Sequence, residues 1–288
     1  MSKRAGDFLR ALAVVLLSMT PGPVAAETPR DRGAYLALGI MACDHCHTPR
    51  AQGGLDVARR FSGGPQVWDE PAFTVRGSNI PPDPETGIGG WSAQDILRAL
   101  VDGVRPDGTR LAPEMPFAFF RILTPADRDA VIAYLRSVPP VRRAIPPPVY
   151  KAAMPTTPVP GTETPPTEAA MRDPLTRGFY LATLGHCMEC HTGQTADGQP
   201  DYAHRLGAGG QKIAGPWGIV VAPNITSDAK AGLGGWSDAE IRRALTQSVG
   251  RDGHRFKAPM ARGAYLSRLT DQDLAALILY LRSLPPLS

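Results

Sequence analysis

The sequence predicts an all-α protein built from two tandem copies of one small helical unit. Landmarks of the first half return at an offset of about 145 residues, as Arg32-Gly33-Ala34-Tyr35-Leu36 does in Arg177-Gly178-Phe179-Tyr180-Leu181. Helix-start signals recur in both copies, whereas the alternating pattern of β-strands is scarce. Of the 288 residues, 43% are hydrophobic and 20% charged, so the chain can bury a core and is not disordered.

Residues 1–26 have the features of a secretory signal peptide. Three basic residues precede position 11, Ala11–Met19 is a short apolar run, and Val24-Ala25-Ala26 offers small residues for cleavage. The alternative is an uncleaved membrane anchor, but this run is far shorter than the roughly 20 apolar residues that span a bilayer. We therefore expect cleavage after about Ala26, export to the periplasm and no membrane span.

The repeat divides the remaining chain into two predicted domains joined by a linker. We refer to residues 27–138 as the first repeat and to residues 175–288 as the second. Residues 139–174 between them contain eleven prolines mixed with Thr, Glu and Ala. This composition favours extended polyproline structure over a packed core, which predicts a semi-rigid linker.

Helices are expected at matching places in the two repeats. Capping-box patterns begin at Ser92 and Ser237, and a second pair of helix starts lies at Thr124 and Thr270. The last helix has an apolar stripe at spacings of three and four residues, formed by Leu274, Leu277, Ile278 and Leu281. Because a core of about 110 residues with long loops is marginal, we expect a large apolar group at its centre.

The four cysteines occur as two Cys-x-x-Cys-His motifs, which is the attachment signature of c-type haem. Residues i and i+3 share one face of a helical turn, so two thiols can reach the two vinyl groups of one porphyrin. The histidine that follows then lies beneath the ring and can bind the iron. The prediction is two covalently bound haem c groups, attached at Cys43, Cys46, Cys187 and Cys190, with His47 and His191 as iron ligands.

Other uses of paired cysteines explain the motifs less well. A thioredoxin-like site requires a βαβ context, which is absent. A zinc site spaces its two pairs by about 15–20 residues, far less than the separation of Cys46 from Cys187. Two structural disulfides would close only very small loops. None of these alternatives accounts for a histidine directly after both pairs.

The second axial ligand is sought among eight methionines. Those in the signal peptide, in the linker and beside the cysteines are set aside, which leaves Met115 and Met260 at matching places next to prolines. A methionine is more often core filling than a ligand, but the matched positions favour ligation. His204 and His254 are rival ligands, although neither has a counterpart in the first repeat.

Two further repeated features, a tryptophan and a glycine pair in each repeat, are weaker indications of a haem site. Trp91 and Trp236 fit equally well a haem pocket, where an indole N–H donates to a propionate, or an ordinary aromatic core. The glycine pairs at 63–64 and 209–210 favour a close approach of the backbone to the porphyrin edge.

Together these motifs resemble class I cytochrome c domains. The order of Cys-x-x-Cys-His-Thr, Gly-Gly, Asn-Ile, Gly-Gly-Trp-Ser, a Met beside Pro and Tyr-Leu-Arg-Ser-x-Pro-Pro resembles in particular the cytochrome c subunits of bacterial periplasmic dehydrogenases for alcohols, aldehydes and gluconate. The resemblance implies two tandem class I cytochrome c domains with His47 and His191 as proximal and Met115 and Met260 as distal ligands. Better-known members carry three haem motifs and usually a C-terminal membrane anchor, whereas this sequence has two motifs and its last residues are Pro285-Pro286-Leu287-Ser288.

Two functions from different classes follow. The first is a non-catalytic electron-transfer subunit of an oxidoreductase complex, with a periplasmic dehydrogenase and a downstream cytochrome or oxidase as partners. The second is a dihaem enzyme, a peroxidase or a thiosulfate-oxidising cytochrome, which needs one iron with an open site. The two repeats are near copies in which no asymmetric acid–base residue is evident, and this favours the carrier. A net charge of +4 without blocks of like charge argues against nucleic acid, and peripheral membrane association stays open.

Overall fold

The computed structural model describes residues 27–154, 157–215 and 217–288. The predicted signal peptide at 1–26 lies outside the described residues. Within them the chain forms ten α-helices, seven short strands and two 3₁₀ turns. None of the helices in these ranges is long and apolar enough to cross a bilayer.

The first repeat contains five helices, and side-chain caps mark the start of α1 and α3. Helix α1 begins with a proline after the cap Thr28, whose side chain accepts from the Asp31 backbone N–H. Helix α3 begins with a complete capping box on Ser92, as the sequence predicts. The helices are α1 Pro29–Leu38, α2 Cys43–His47, α3 Ala93–Asp102, α4 Phe117–Phe120 and α5 Pro125–Ser137.

The second repeat has the same order of helices. Ser237 forms a capping box on α8, and the Thr270 side chain caps α10 by accepting from the Asp273 backbone N–H. The whole apolar stripe of α10 is buried. The helices are α6 Pro174–Leu184, α7 Cys187–His191, α8 Asp238–Gln247, α9 Gly263–Leu266 and α10 Asp271–Ser283.

The prediction of an all-α fold is wrong, because the described residues also contain three small antiparallel sheets. Strands of two to four residues are too short to produce a clear alternating pattern. One strand, β5, comes from the predicted linker and pairs with β4 about 75 residues earlier, a contact that no local pattern reports. The strands are β1 Arg50–Ala51, β2 Gly54–Leu55, β3 Val67–Glu70, β4 Phe73–Arg76, β5 Val149–Tyr150, β6 Lys212–Gly215 and β7 Gly218–Val221.

In each repeat the first and last helices cross at a glycine. A Cβ on Gly33 would lie 2.0 Å from the Ala130 carbonyl oxygen, so α1 contacts the backbone of α5 directly. A Cβ on Gly178 would lie 2.1 Å from the Ala276 carbonyl oxygen at the crossing of α6 and α10. In both repeats the first helix of the crossing is followed directly along the chain by the short motif helix, α2 or α7.

The two repeats share one hydrophobic core. Fully buried side chains from both belong to a single cluster, among them Leu36, Ile40, Leu181, Leu184 and Leu277. The repeats therefore pack against each other along their first and last helices. The exact domain limits at 27–138, 139–174 and 175–288 stay a prediction.

The start of the predicted linker lies along the first repeat. The buried Asn79 amide donates to the Val141 carbonyl at 2.8 Å, and the Arg143 guanidinium donates to the Gly63 carbonyl at 2.8 Å. With β5 added to the edge of β4, this part of the proline-rich segment is held in place by specific hydrogen bonds.

Candidate metal centres

Both Cys-x-x-Cys-His motifs lie on one short helical turn each, α2 and α7. The residue before each turn, Ala42 or His186, has a positive φ of 48° or 42°, which reverses the chain after the preceding helix. None of the four cysteines forms a disulfide, and each is partly buried. The spacing of three residues on a helical turn places both thiols of a motif on the same side, as attachment to one porphyrin requires.

The motif histidines are held in matching ways. Nδ1 of His47 lies 2.8 Å from the Ser78 carbonyl oxygen, and Nδ1 of His191 lies 2.8 Å from that of Pro223. Burial lowers the pKa of both imidazoles, so the neutral form is favoured. A neutral ring that donates from Nδ1 to a carbonyl keeps the lone pair of Nε2 for a metal.

Backbone packing holds each motif turn tightly. A Cβ on Gly64 would lie 2.0 Å from the Cys46 carbonyl oxygen, and one on Gly77 would lie 1.8 Å from it. The Gly63 N–H donates to the His47 carbonyl at 2.7 Å, and Gly209 does the same for His191. In the first repeat Gly64 thus allows the backbone to approach the motif turn itself.

The two candidate methionines lie at matching positions. Met115 and Met260 are partly buried, pack against the shared core and stand just before α4 and α9. The Met115 carbonyl accepts from the Phe117 N–H at 2.7 Å, and the Met260 carbonyl accepts from Arg262 at 2.7 Å. Their binding to iron stays a prediction.

The rival histidines have different surroundings. The side chain of His204 is 83% exposed and that of His254 is 58% exposed, and each ring bonds to a nearby aspartate, Asp201 or Asp252. Both therefore lie on the surface in local contacts of their own loops.

Trp91 and Trp236 are half-buried against the core. Their backbone carbonyls accept from matching arginines of the last helices, Arg136 at 2.9 Å and Arg282 at 2.6 Å. These contacts attach the Gly-Gly-Trp loops to α5 and α10. They leave the choice between pocket and core roles for the indoles open.

The residues that meet at each motif fit a haem c group. Among the described residues, no three His, Cys, Asp or Glu side chains are grouped so as to hold a bare metal ion. Two thiols on one helical turn and an imidazole with a free Nε2 match a porphyrin, which offers its vinyl groups to the thiols and supplies four nitrogens to the iron itself. Cys43, Cys46 and His47 would hold one such group, and the corresponding residues of α7 would hold the other.

Comparison with known proteins shows the family of the chain. The cytochrome c family model matches residues 175–285. The Diheme cytochrome c-type protein of Cereibacter sphaeroides is 32% identical over 272 residues, which cover 90% of this chain and 86% of that protein. The chain belongs to the cytochrome c family. The family carries covalently bound haem c, which the motif helices provide for.

This cytochrome is also similar to subunits of dehydrogenases. It is 32% identical to the fructose dehydrogenase cytochrome subunit of Gluconobacter japonicus, over 92% of this chain and 54% of that protein. It is 33% identical to the gluconate 2-dehydrogenase cytochrome c subunit of Pantoea cypripedii, over 95% and 64%. The chain therefore spans between about half and two-thirds of the length of these curated relatives.

The motif turns of the cytochrome face the boundary between the two repeats. The Phe119 ring of the first repeat lies 6.2 Å from the His186 ring, and the Tyr265 ring of the second lies 6.1 Å from the His45 ring. Each short helix that follows a candidate methionine, α4 or α9, thus contacts the motif turn of the other repeat.

Sequence analysis missed the carbonyl acceptors of Ser78 and Pro223. A backbone acceptor has no side-chain signature, so only its neighbours could point to it. Both residues directly precede the repeated Asn-Ile pair, at 79–80 and 224–225, which was the available signal.

Proposed function

We propose that the chain is a periplasmic dihaem c-type cytochrome that transfers single electrons from a partner dehydrogenase to a downstream cytochrome or oxidase. The observation that carries the proposal is the pair of equivalent motif turns, each with two thiols and a neutral histidine that donates from Nδ1 to a carbonyl at 2.8 Å. Haem c supplies reversible one-electron exchange at its iron.

The chain's own residues would prepare each site for that exchange. The cysteines attach the porphyrin, and the carbonyls of Ser78 and Pro223 hold the imidazoles in one tautomer and one orientation. Met115 and Met260 would each supply a further ligand to the iron. A thioether ligand raises the reduction potential and leaves no open position for a substrate, which suits a carrier.

The names of the relatives support a dehydrogenase as the electron donor. Cytochrome subunits of fructose, gluconate and alcohol dehydrogenases all match more than nine-tenths of the chain. The signal-peptide pattern of residues 1–26 supports a periplasmic location. Two one-electron centres also suit a donor whose substrate releases two electrons.

The test is a potentiometric titration of the purified holoprotein with optical and EPR spectra in both oxidation states. A carrier shows two low-spin haems per chain, both inert to peroxide and thiosulfate. One high-spin haem that reacts with either compound would contradict the carrier and indicate the enzymatic alternative.

The donor is tested separately by mixing the oxidised holoprotein with purified fructose, gluconate or alcohol dehydrogenase catalytic subunits and their substrates. Rapid reduction by one of them, and slow reduction by the others, identifies the class. Equal slow reduction by all three would contradict a partner of these kinds.

A further inference from the structure

We propose that two crossed Arg–Asp–Tyr clusters lock the two repeats in one arrangement and so hold the two haem sites at a constant separation. The clusters are Arg32–Asp127–Tyr180 and Arg177–Asp273–Tyr35. The inference rests on the proposed function in one respect only, namely that both motifs carry haem.

The first cluster is centred on Asp127 of α5, which is 5% exposed. Its carboxylate accepts from Nε and Nη2 of Arg32, at 2.8 and 2.9 Å, within the same repeat. It also accepts from the hydroxyl of Tyr180 at 2.5 Å, and Tyr180 is a fully buried residue of α6 in the second repeat. The carboxylate thus joins one helix of its own repeat to one of the other.

The second cluster repeats this arrangement with the roles of the repeats exchanged. Asp273 of α10 is 1% exposed and accepts from Nε of Arg177 and from the hydroxyl of Tyr35. The oxygen of the Tyr35 hydroxyl in turn accepts from the backbone N–H of Thr270 at 3.1 Å. Tyr35 therefore satisfies both the carboxylate and the cap residue at the start of α10.

Burial explains why these contacts hold the repeats together. A buried carboxylate is unfavourable unless its oxygens are hydrogen-bonded and its charge is paired. Each arginine supplies the charge from the same repeat, but a tyrosine from the other repeat completes the set. Separation of the repeats would remove one hydrogen bond from each carboxylate at once.

The linker alone would not set this arrangement. The contacts at the start of the linker, at Val141, Arg143 and β5, join it to the first repeat and so do not orient the second repeat. In contrast, the crossed clusters use two different directions, from α6 to α5 and from α1 to α10, and thereby restrict rotation as well as distance.

The clusters lie on the helices that lead into the motifs. Tyr35 and Arg32 belong to α1, which is followed by α2, and Tyr180 and Arg177 belong to α6, which is followed by α7. Fixing α1 against α10 and α6 against α5 therefore fixes the two motif turns relative to each other. For this reason we regard Tyr35 and Tyr180 as positioning residues for electron exchange between the haems.

The proposal is tested by cutting the linker of the folded holoprotein. A protease site is introduced after Glu168, where the chain is exposed, and the cut protein is passed over a sizing column at decreasing concentration. The parent halves should stay together. In Tyr35→Phe and Tyr180→Phe each lost hydrogen bond to a carboxylate should weaken association by about tenfold or more.

The matched control is Tyr150→Phe, which removes a hydroxyl of the linker strand β5 that accepts from Arg105 of the first repeat at 3.2 Å. It should leave association unchanged. Tyr35→Phe and Tyr180→Phe each lose one hydrogen bond to a carboxylate and keep the other cluster complete, so both are expected to fold. Association of both single variants equal to that of the parent would overturn the proposal.

A second readout separates positioning from mere stability. In the uncut chain the rate of electron exchange between the two haems should fall in Tyr35→Phe and Tyr180→Phe, while the optical spectrum of each haem is unchanged. An unchanged rate would refute the positioning role. The association assay does not depend on the carrier function. A failure of the proposed function would instead be recognised in the potentiometric titration.

Discussion

Replacing Gly33 with alanine tests how closely α1 and α5 must approach to form the first haem site. The added Cβ would lie 2.0 Å from the Ala130 carbonyl oxygen and 2.7 Å from the Tyr134 Cβ, whereas ordinary contact begins at 3.4 Å. Neither neighbouring atom can rotate away, so the helices must separate. The higher helix propensity of alanine stabilises the helix by about 1 kcal/mol relative to glycine, whereas overpacking destabilises a protein by about 1–3 kcal/mol. Because the added Cβ meets backbone atoms, we expect an overpacking cost at the upper end of that range. We expect a net loss of about 2 kcal/mol in the free energy of unfolding.

The assay is guanidinium unfolding of the holoprotein, followed by far-UV circular dichroism and by haem absorption. Gly178→Ala should behave in the same way, because its Cβ would lie 2.1 Å from the Ala276 carbonyl oxygen. Gly90→Ala is the control, since its nearest atom would be 3.7 Å away. Stability of Gly33→Ala equal to or above that of Gly90→Ala would refute the reasoning.

Three further predictions concern the ligands, the crossed clusters and pH. Met115→Leu and Met260→Leu should each remove about half of the intensity of the near-infrared band of methionine-bound ferric haem, because each haem is predicted to have one such ligand. A band of full intensity in both variants would exclude methionine ligation. Asp127→Asn should lower the free energy of unfolding by about 3–5 kcal/mol, because it leaves the part-buried Arg32 unpaired. Glu85→Gln, which removes the exposed pair with Arg142, should lower it by under about 1 kcal/mol, and both values are measured by guanidinium unfolding. Burial and the adjacent carboxylate raise the pKa of Tyr35 from 10.0 to about 12, so the folded state holds this proton more tightly and the free energy of unfolding should fall between pH 10 and 12. Tyr35→Phe should show a shallower fall in urea unfolding over that range, and an identical slope would contradict the assignment.

Local signals in the sequence were sufficient for α3, α5, α8 and α10, the helices that begin after Ser92, Thr124, Ser237 and Thr270. The capping boxes at Ser92 and Ser237 are present, and the apolar stripe of α10 is buried. These features depend on contacts between residues three or four apart, which a single sequence displays directly. The strands were missed because segments of two to four residues show no clear alternation, and β5 in addition pairs with a strand about 75 residues earlier.

The candidate sites divide in the same way. The motif spacing by itself points to the thiols and the histidine of each site. The carbonyls of Ser78 and Pro223, which orient the rings, became visible only in the folded chain. A carbonyl acceptor is a property of the backbone path, and its residue type does not report it.

Asp127 and Asp273 show most clearly what sequence and fold each contribute. The sequence alone determined that each occupies the third position of a helix start, where an acidic side chain is expected to serve the helix itself. Only the tertiary structure decided that the carboxylates accept from Tyr180 and Tyr35 of the other repeat. Local patterns specify which helices form and where the haem thiols stand. The packing of the two copies against each other depends on burial and hydrogen bonds between residues distant in the chain. Such contacts leave no periodic pattern in the sequence from which they could be predicted.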